Sequence, residues 1–412
     1  MLHTMAKKPK TLPGQLFAAL GSFWLATALL VNLFLLTWFG TLEQVDKGIH
    51  AVQAQYFESW IVLAKAGAIK LLLPGGYVTM GLLVVNLFVG GLVRIRKSKS
   101  TIGVIIGHVG ILLMMGGGLV EHMYSEYGRV RLYEGEEKDQ FSSYAEWEVA
   151  IWDADATASV EEFLIPGSDF EDLGGEASRT FKRAELPFDL ILKRYSENSQ
   201  LRLAANVGIP KAPVIENLFI EPMASSKEDE FNLPGMYATA ITEGGARVEE
   251  SLLNGFCKHP WTVRAGGKTW AIKLRHVTKT MPFSIKLEKF LKDDHPGMSM
   301  ARAYSSDVIR TDADGSTHKQ RIQMNEPLRK DGLIVYQSGF GPQNGEGGPP
   351  YTVLAVSRNP SDRIPWISVA IIALGLTWTF IARLFGFLGK QKRMALKAAA
   401  ASGSLSGGKE AA

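Results

Sequence analysis

Residues 102–120 read IGVIIGHVGILLMMGGGLV, a stretch without a charged side chain and with one histidine, His108, near its start. About 20 apolar residues are what a helix needs to cross a ~30 Å hydrocarbon core. Immediately before it lies the link 94–101, which carries Arg94, Arg96, Lys97 and Lys99 and no acid. Three more runs of the same kind occur, roughly 17–39, 77–93 and 364–388, and charged residues fall between the runs rather than inside them. A soluble core helix would not need that segregation, so four transmembrane helices are expected. The overall 46% hydrophobic content conceals this bunching.

Working outward, the charge pattern orients the chain. The N-terminus (1–15, with Lys7, Lys8 and Lys10), the link 94–101 and the segment from Arg383 to the end together hold 13 basic residues and one acid, Glu410. The stretch 121–363 holds 29 Lys/Arg against 37 Asp/Glu, a net of −8, and the loop 41–76 balances three against three. Basic flanks stay cytoplasmic. The expected topology therefore has both termini inside, helices at 17–39, 77–93, 102–120 and 364–388, a loop 41–76 and a large domain 121–363 outside, and a cytoplasmic tail 389–412. The first run could be read as a cleaved signal peptide, but it exceeds a usual h-region, and Trp38-Phe39-Gly40 is not a small-x-small cleavage site. An uncleaved anchor is expected. The basic flanks suit anionic lipid headgroups and require no nucleic acid.

The loop 41–76 contains Tyr56-Phe57-Glu58-Ser59-Trp60-Ile61-Val62-Leu63, which predicts an interfacial helix with Tyr56 and Trp60 at headgroup depth, or a short helix packed under the outer domain. The domain 121–363 reads as short alternating strands, among them 129–134, 146–152, 188–193, 261–265, 269–277, 283–287, 305–311, 319–324, 333–337 and 351–356. Gly266-Gly267, Asp312–Gly315 and Asp331-Gly332 punctuate them. The expectation is a mainly β, antiparallel sandwich or open barrel. Segments 170–185 and 197–235 are expected to be loops or short helices, and the Ala/Ser/Gly-rich tail after Met394 to be disordered.

Chemistry-bearing side chains are few. Cys257 is the only cysteine, so the chain has no internal disulfide and no thiolate cluster; a buried apolar role is expected for it. His259, His276, His295 and His318 lack metal-ligand spacing, and no GxSxG, Walker A or GxGxxG motif occurs. His108 stands out because an ionisable side chain inside a spanning helix is costly. It sits ~10 Å from the basic edge of its helix. Gly103, Gly107 and Gly110 around it allow a partner helix or a flat ligand to come close. It reads either as a ligand or proton-path residue or as a neutral histidine hydrogen-bonded between packed helices. His122 lies fourteen residues on, within ~40° of the same face and ~21 Å higher, expected just past the helix end. It reads as a waypoint between the faces or as a solvated interfacial residue, and so does His50 in the loop.

Three spanning helices, a long outer domain and a last helix form a layout that resembles the ResB (CcsB) family of cytochrome c biogenesis proteins. The likeness has local anchors. One is Gly40-Thr41 followed by Val52-Gln53-Ala54-Gln55-Tyr56-Phe57-Glu58-Ser59-Trp60. Another is Gly107-His108-Val109-Gly110-Ile111-Leu112-Leu113 with Gly116-Gly117-Gly118, leading to Gly128 and Glu134-Gly135-Glu136. The third, over ~60 residues, is Pro282-Phe283 and Phe290, then Tyr304-Ser305-Ser306-Asp307, Asn325-Glu326-Pro327-Leu328 and Gly332–Phe340. Residues 155–260 add little to the likeness.

The resemblance implies a subunit of System II cytochrome c maturation in the bacterial inner membrane. With a ResC/CcsA-like partner it would carry haem b outward. The haem vinyl groups are then joined to the thiols of apocytochrome c, which thioredoxin-like proteins keep reduced. His108 matches the family's haem-ligating transmembrane histidine; Gly107 and Gly110 would let the macrocycle approach, and His122 would mark a haem path. None of the nine tryptophans lies in a tryptophan-rich haem-handling motif, which the resemblance assigns to the partner. By itself the chain would be at most a non-catalytic subunit of a cytochrome c synthase complex. The alternatives are a scaffold that presents apocytochrome without binding haem, and an extracytoplasmic sensor.

Overall fold

The computed structural model describes residues 11–66, 69–99, 101–156, 161–206, 212–242, 248–298, 300–342 and 348–406. The chain folds as two units, a helical one of Met1–Ser125 with Pro360–Ala412 and a β one of Glu126–Asn359.

The helical unit begins with α1 (Leu12–Leu20) and α2 (Phe23–Lys47), followed by the single turn α3 (Ile49–Val52) and a π-helical turn at Gln53–Phe57. A hairpin of β1 (Ile61–Ala66) and β2 (Ile69–Pro74) leads into α4 (Gly76–Asn86), which continues as a π-helical segment, Leu87–Val93. Then come α5 (Ile102–Tyr124) and, after the β unit, α6 (Ile364–Ser406). Four stretches among the described residues are long and apolar enough to cross a membrane: Phe23–Lys47, Gly76–Val93, Ile102–Tyr124 and Ile364–Lys397.

The first span differs from the expected 17–39 because the helix breaks at Gly21-Ser22. Gly21 lies so close to the π-helical segment that a Cβ there would be 2.9 Å from Val89 Cγ1 and 3.1 Å from Gly90 N. Ser22 then caps α2 by accepting a hydrogen bond from Leu25 N at 3.1 Å. The break frees carbonyls, which an apolar surrounding must not leave unpaired. Asn86 Nδ2 donates to Leu20 O at 2.6 Å and Ser22 O at 3.0 Å. Asn32 plays the corresponding part for α4, donating to Pro74 O at 2.9 Å and Thr79 Oγ1 at 2.8 Å. The two asparagines within the apolar runs are thus accounted for by helix irregularities.

The expected helix over 56–63 is corrected to a π turn followed by a hairpin. Burial alternates along β1, with Val62 and Ala64 inside and Ile61 and Leu63 outside, a period of two that a strand satisfies and a helix does not. Tyr56 is fully buried with Leu36, Val52 and Leu73 rather than standing at headgroup depth, whereas Trp60 is 70% exposed. At the other end, α6 runs on to Ser406, past the expected boundary at 388 and into the tail expected to be disordered.

All strand pairs of the β unit are antiparallel. In chain order they are β3 (Glu126–Tyr133), β4 (Glu137–Asp153), β5 (Glu162–Pro166), β6 (Ser178–Phe181), β7 (Phe188–Ser196), β8 (Ser199–Leu203), β9 (Leu218–Pro222), β10 (Gly235–Thr242) and β11 (Val248–Asn254). They continue with β12 (Trp261–Ala265), β13 (Lys268–Asp294), β14 (Ala301–Asp312), β15 (Thr317–Gln323), β16 (Leu328–Lys330), β17 (Leu333–Gly341) and β18 (Tyr351–Arg358). The largest sheet has the order β15-β14-β13-β4-β3-β18-β17-β16, with β12 on β13 and β5 on β4; a second has the order β11-β10-β7-β6.

Both expected architectures are present, because β4 and β13 are long enough to serve two cores. Where Phe141 and Phe283, Ile285 and Leu287 point inward with Val130, Leu354, Val335 and Ile322, the large sheet curls around its own core as an open barrel. Further along the same two strands, Trp147, Val149, Ile272 and Leu274 face Leu190, Leu192 and Ala238 of the four-stranded sheet, as a sandwich. The β4–β13 register shifts between His276 and Thr278 and again between Thr280 and Ile285, which lets one strand change cores. Segments 170–185 and 197–235 are not only loop: β6 and the β8–β9 hairpin lie in them, beside short 3-10 turns.

Candidate haem-handling site

α5 and α6 pack closely along one face of α5. Gly103, Gly110 and Gly117, seven residues apart, are buried there. A Cβ on Gly103 would run into Gly375 O and Thr379 Oγ1, one on Gly110 would meet Ile372 Cγ1 at 2.7 Å, and one on Gly117 Ile364 Cγ2 at 2.5 Å. Gly103 and Gly110 therefore make room for α6, the partner-helix use of small residues. Gly107 differs. Its backbone also lies against Gly375 of α6, but a Cβ built on it meets nothing within 4 Å, so space is open in that direction.

His108 points toward the π-helical segment. Its Nδ1 is 3.1 Å from Gly91 O, and the ring is half-buried. The helix ends at Val93, so the carbonyl of Gly91 is one of the last-turn acceptors that the helix cannot pair. A carbonyl only accepts, so Nδ1 carries the proton. In the neutral ring Nε2 then keeps its lone pair, and no described residue hydrogen-bonds it. A neutral imidazole held through Nδ1–H by a backbone carbonyl, with Nε2 directed elsewhere, is the arrangement of metal-ligating histidines. Residue 91 must be glycine for this geometry, since a Cβ would stand 2.5 Å from Nδ1. Gly90-Gly91 just before the basic link was the sequence signal for that close approach, and reading the sequence alone missed it.

Residues 254–347 match the model of the ResB-like family. Over that segment the chain is similar to the ResB-like family. The match supports a role in cytochrome c biogenesis in general terms. It falls in the β unit, from the end of β11 through β17, and includes the Asn325-Glu326-Pro327-Leu328 and Tyr336-Gln337-Ser338 motifs. No curated protein matches the chain.

In the ResB-like segment, Gln337 and Ser306 form a buried polar network with Thr352. Ser306 Oγ donates to Gln337 Oε1 at 2.7 Å, and Gln337 Nε2 donates to Thr352 Oγ1 at 2.7 Å. Such a satisfied network fixes the register of β14, β17 and β18. Asp331 and Gly332 both have positive φ, 47° and 78°, forming the turn that starts β17.

His122 is not past the end of α5 as expected but in its last turn. Its Nδ1 is 3.7 Å from Glu58 Oε1 and its Nε2 is 3.5 Å from Tyr77 OH. Tyr77 in turn meets Trp60 edge-on, with ring centroids 5.9 Å apart. His108 and His122 lie on one helix, separated by ~21 Å of rise, so the structure does not bring them into one site. His50, in α3, is exposed.

Elsewhere in the β unit a cleft of about 340 Å³ is lined by Trp147, Tyr195, Glu171, Glu197, Asp229 and Asn232. Burial, with Glu197 and Glu146 nearby, holds the Glu171 carboxyl above its usual range. Behind Trp147 stacks His276, ring centroids 3.8 Å apart, where burial and then Arg129 push the imidazole down to about 4. Cys257 is half-buried, and burial pushes its thiol up, which lowers its thiolate fraction at neutral pH. Among the described residues no cluster of three or more His, Cys, Asp or Glu could hold a metal ion.

Proposed function

We propose that this chain is one half of a haem conduit for cytochrome c maturation, in which His108 Nε2 holds the iron of haem b as cargo. The observation that carries it is the Nδ1–Gly91 O bond at 3.1 Å, which leaves Nε2 with a free lone pair. Neutral imidazole is a good iron ligand, and the open side at Gly107, one residue away, fits a flat macrocycle. Gly110 is assigned to α6 packing instead. When bound, haem iron accepts one axial nitrogen here; a ResC/CcsA-like partner supplies the opposing ligand, so the cargo is held without being fixed permanently.

In this reading the basic segments face the cytoplasm and the β unit faces outward in a bacterial inner membrane. His108 then lies in the inner half of the bilayer, suited to haem collected from the cytoplasm. The acidic β unit and its Glu171–Glu197–Asp229 cleft suit a basic apocytochrome c, whose thiols thioredoxin-like proteins keep reduced. The test is to purify the chain with its membrane partner and record the haem absorption spectrum. His108→Ala should remove or shift the b-type bands. An unchanged spectrum would overturn the ligand role and leave the chain as a scaffold; normal c-type cytochrome assembly in its absence would overturn the whole reading.

A further inference from the structure

Within the β unit, the sandwich is left open along one side. There the large sheet ends in β5, which pairs only with β4, and the four-stranded sheet ends in β6, which pairs only with β7. Among the described residues no strand pairs with the outer edge of either. Between the two edges lies a cavity of about 280 Å³ that reaches into the core. Its floor is Ile165, Leu186 and Leu190, which are 6%, 7% and 0% exposed, and Phe163 and Phe181 form its sides. Side chains that close the core elsewhere here face an opening, and apolar atoms placed in it would remove that surface from water.

The mouth of the cavity is polar and carries a cation left over. In the turn between β6 and β7, Leu186 N donates to Arg183 O at 3.2 Å, which sets Leu186 on the floor and Arg183 at the rim. Lys182, also at the rim, is paired with Asp189 at 2.7 Å. Asp169 lines the cavity too. Its charge is offset by Arg179, which pairs with Asp172 at 2.8 Å and donates to the Asp169 carbonyl. Arg183 is exposed and has no acid partner among the described residues. An extended peptide would use the two strand edges, but both are blunted. β5 has five residues and ends in Pro166, which has no N–H to give, and β6 has four, Arg179 among them. An alkyl chain has no need of those edges.

We infer that this seam binds a single-chain amphiphilic anion, a fatty carboxylate of medium length. The alkyl tail lies between Phe163 and Phe181 on the floor of Ile165 and Leu186, and the carboxylate meets the Arg183 guanidinium, whose fork matches two oxygens. Burial of the tail supplies most of the affinity, and Arg183 selects the charge of the head group. The site lies outside residues 254–347, the segment that matches the family, and it uses no residue of the conduit reading. Neither stands or falls with the other.

The probe is decanoate carrying a photoreactive diazirine at its far end, irradiated with the full-length chain in phosphatidylcholine nanodiscs. Adducts are mapped by mass spectrometry, so probe dissolved in the bilayer is not counted. They should fall on residues 161–166 and 180–190, and excess decanoate should compete them away where decanol and decyltrimethylammonium do not. Thr180→Phe, at an exposed position on the rim, should block the mouth and abolish these adducts with the melting temperature unchanged. Arg183→Gln should keep them but raise the probe concentration for half-maximal labelling by roughly three- to tenfold. The site is overturned if neither stretch is labelled, if labelling persists in Thr180→Phe, or if decanol competes as well as decanoate. Protection of the seam by a co-purifying polypeptide would overturn it too, and would make the two edges a strand-docking site instead.

Discussion

Replacing Gly91 by alanine tests the site through a residue that never touches the ligand. The new Cβ would lie 2.5 Å from His108 Nδ1 and 3.1 Å from both Cε1 and Cγ. Ordinary contact is about 3.5 Å or more, so the ring must retreat by about 1 Å. The 3.1 Å bond to Gly91 O then opens to about 4 Å and ceases to be a hydrogen bond. Two groups are orphaned in apolar surroundings, a cost of about 1–3 kcal/mol, and crowding adds about 1–3 kcal/mol. Without the carbonyl, nothing selects the tautomer that leaves Nε2 unprotonated. Loss of such a supporting contact weakens metal binding by about 10–100-fold, or about 1.4–2.7 kcal/mol. Ferric porphyrin titration of the full-length chain, read at the Soret band, measures this. Gly118→Ala on α5, the helix that carries His108, is the control, because its Cβ meets nothing within 4 Å. Wild-type affinity and spectrum in Gly91→Ala would refute the reasoning, since the geometry leaves the ring nowhere to stay.

The remaining predictions separate site from scaffold. Gly107→Ala adds a methyl that meets no protein atom within 4 Å, so the melting temperature should hold while porphyrin affinity falls by roughly tenfold, about 1.4 kcal/mol. Arg275→Ala should destabilise the β unit by about 3–5 kcal/mol, seen as an earlier denaturation midpoint. It strands the carboxylate of Glu148, 6% exposed and 2.9 Å from the guanidinium, and also loses Glu162. His276 is held neutral, with its pKa lowered from 6.5 to about 4 by burial first and Arg129 second. A lowered histidine pKa means the unfolded chain binds the extra proton first as pH falls. Stability is therefore fully present above pH 6.5 and is lost between 6.5 and 4. The ceiling is about 3 kcal/mol, and about half of that survives solvent screening of the partly exposed ring. His276→Phe keeps the stack on Trp147 and should flatten that slope in denaturation curves recorded from pH 7.5 to 4.5.

How much of this was legible in the sequence depends on the range of the interaction. Runs of uncharged residues and period-two alternation are local, and they led to four apolar helices and an antiparallel β unit. The choice between sandwich and barrel stayed open because it turns on strand length: β13 is one strand of 27 residues, but its shift of core splits its hydrophobic pattern into two apparent strands, 269–277 and 283–287. The 56–63 segment misled for a related reason. Tyr56 and Trp60 at a spacing of four look helical, yet the buried positions that decide, Val62 and Ala64, are spaced by two.

The site divides along the same line. His108 is conspicuous because a titratable group in an apolar run is expensive, and that can be read from one residue and its neighbours. Whether it can act as a ligand depends on what occupies its other nitrogen, and that is a contact over seventeen residues to a carbonyl, which every residue possesses. The glycines around it have the opposite ambiguity. Gly103, Gly107 and Gly110 are identical in sequence and all lie against α6, but only at Gly107 would an added Cβ meet open space. Helical phase explains the division: Gly103 and Gly110 are seven apart, close to two full turns, while Gly107 is rotated about 40–60° from both. The position of α6, more than 250 residues away in the chain, therefore decides at which glycine a side of α5 stays open, and it leaves Gly107 next to His108, whose Nε2 no described residue hydrogen-bonds.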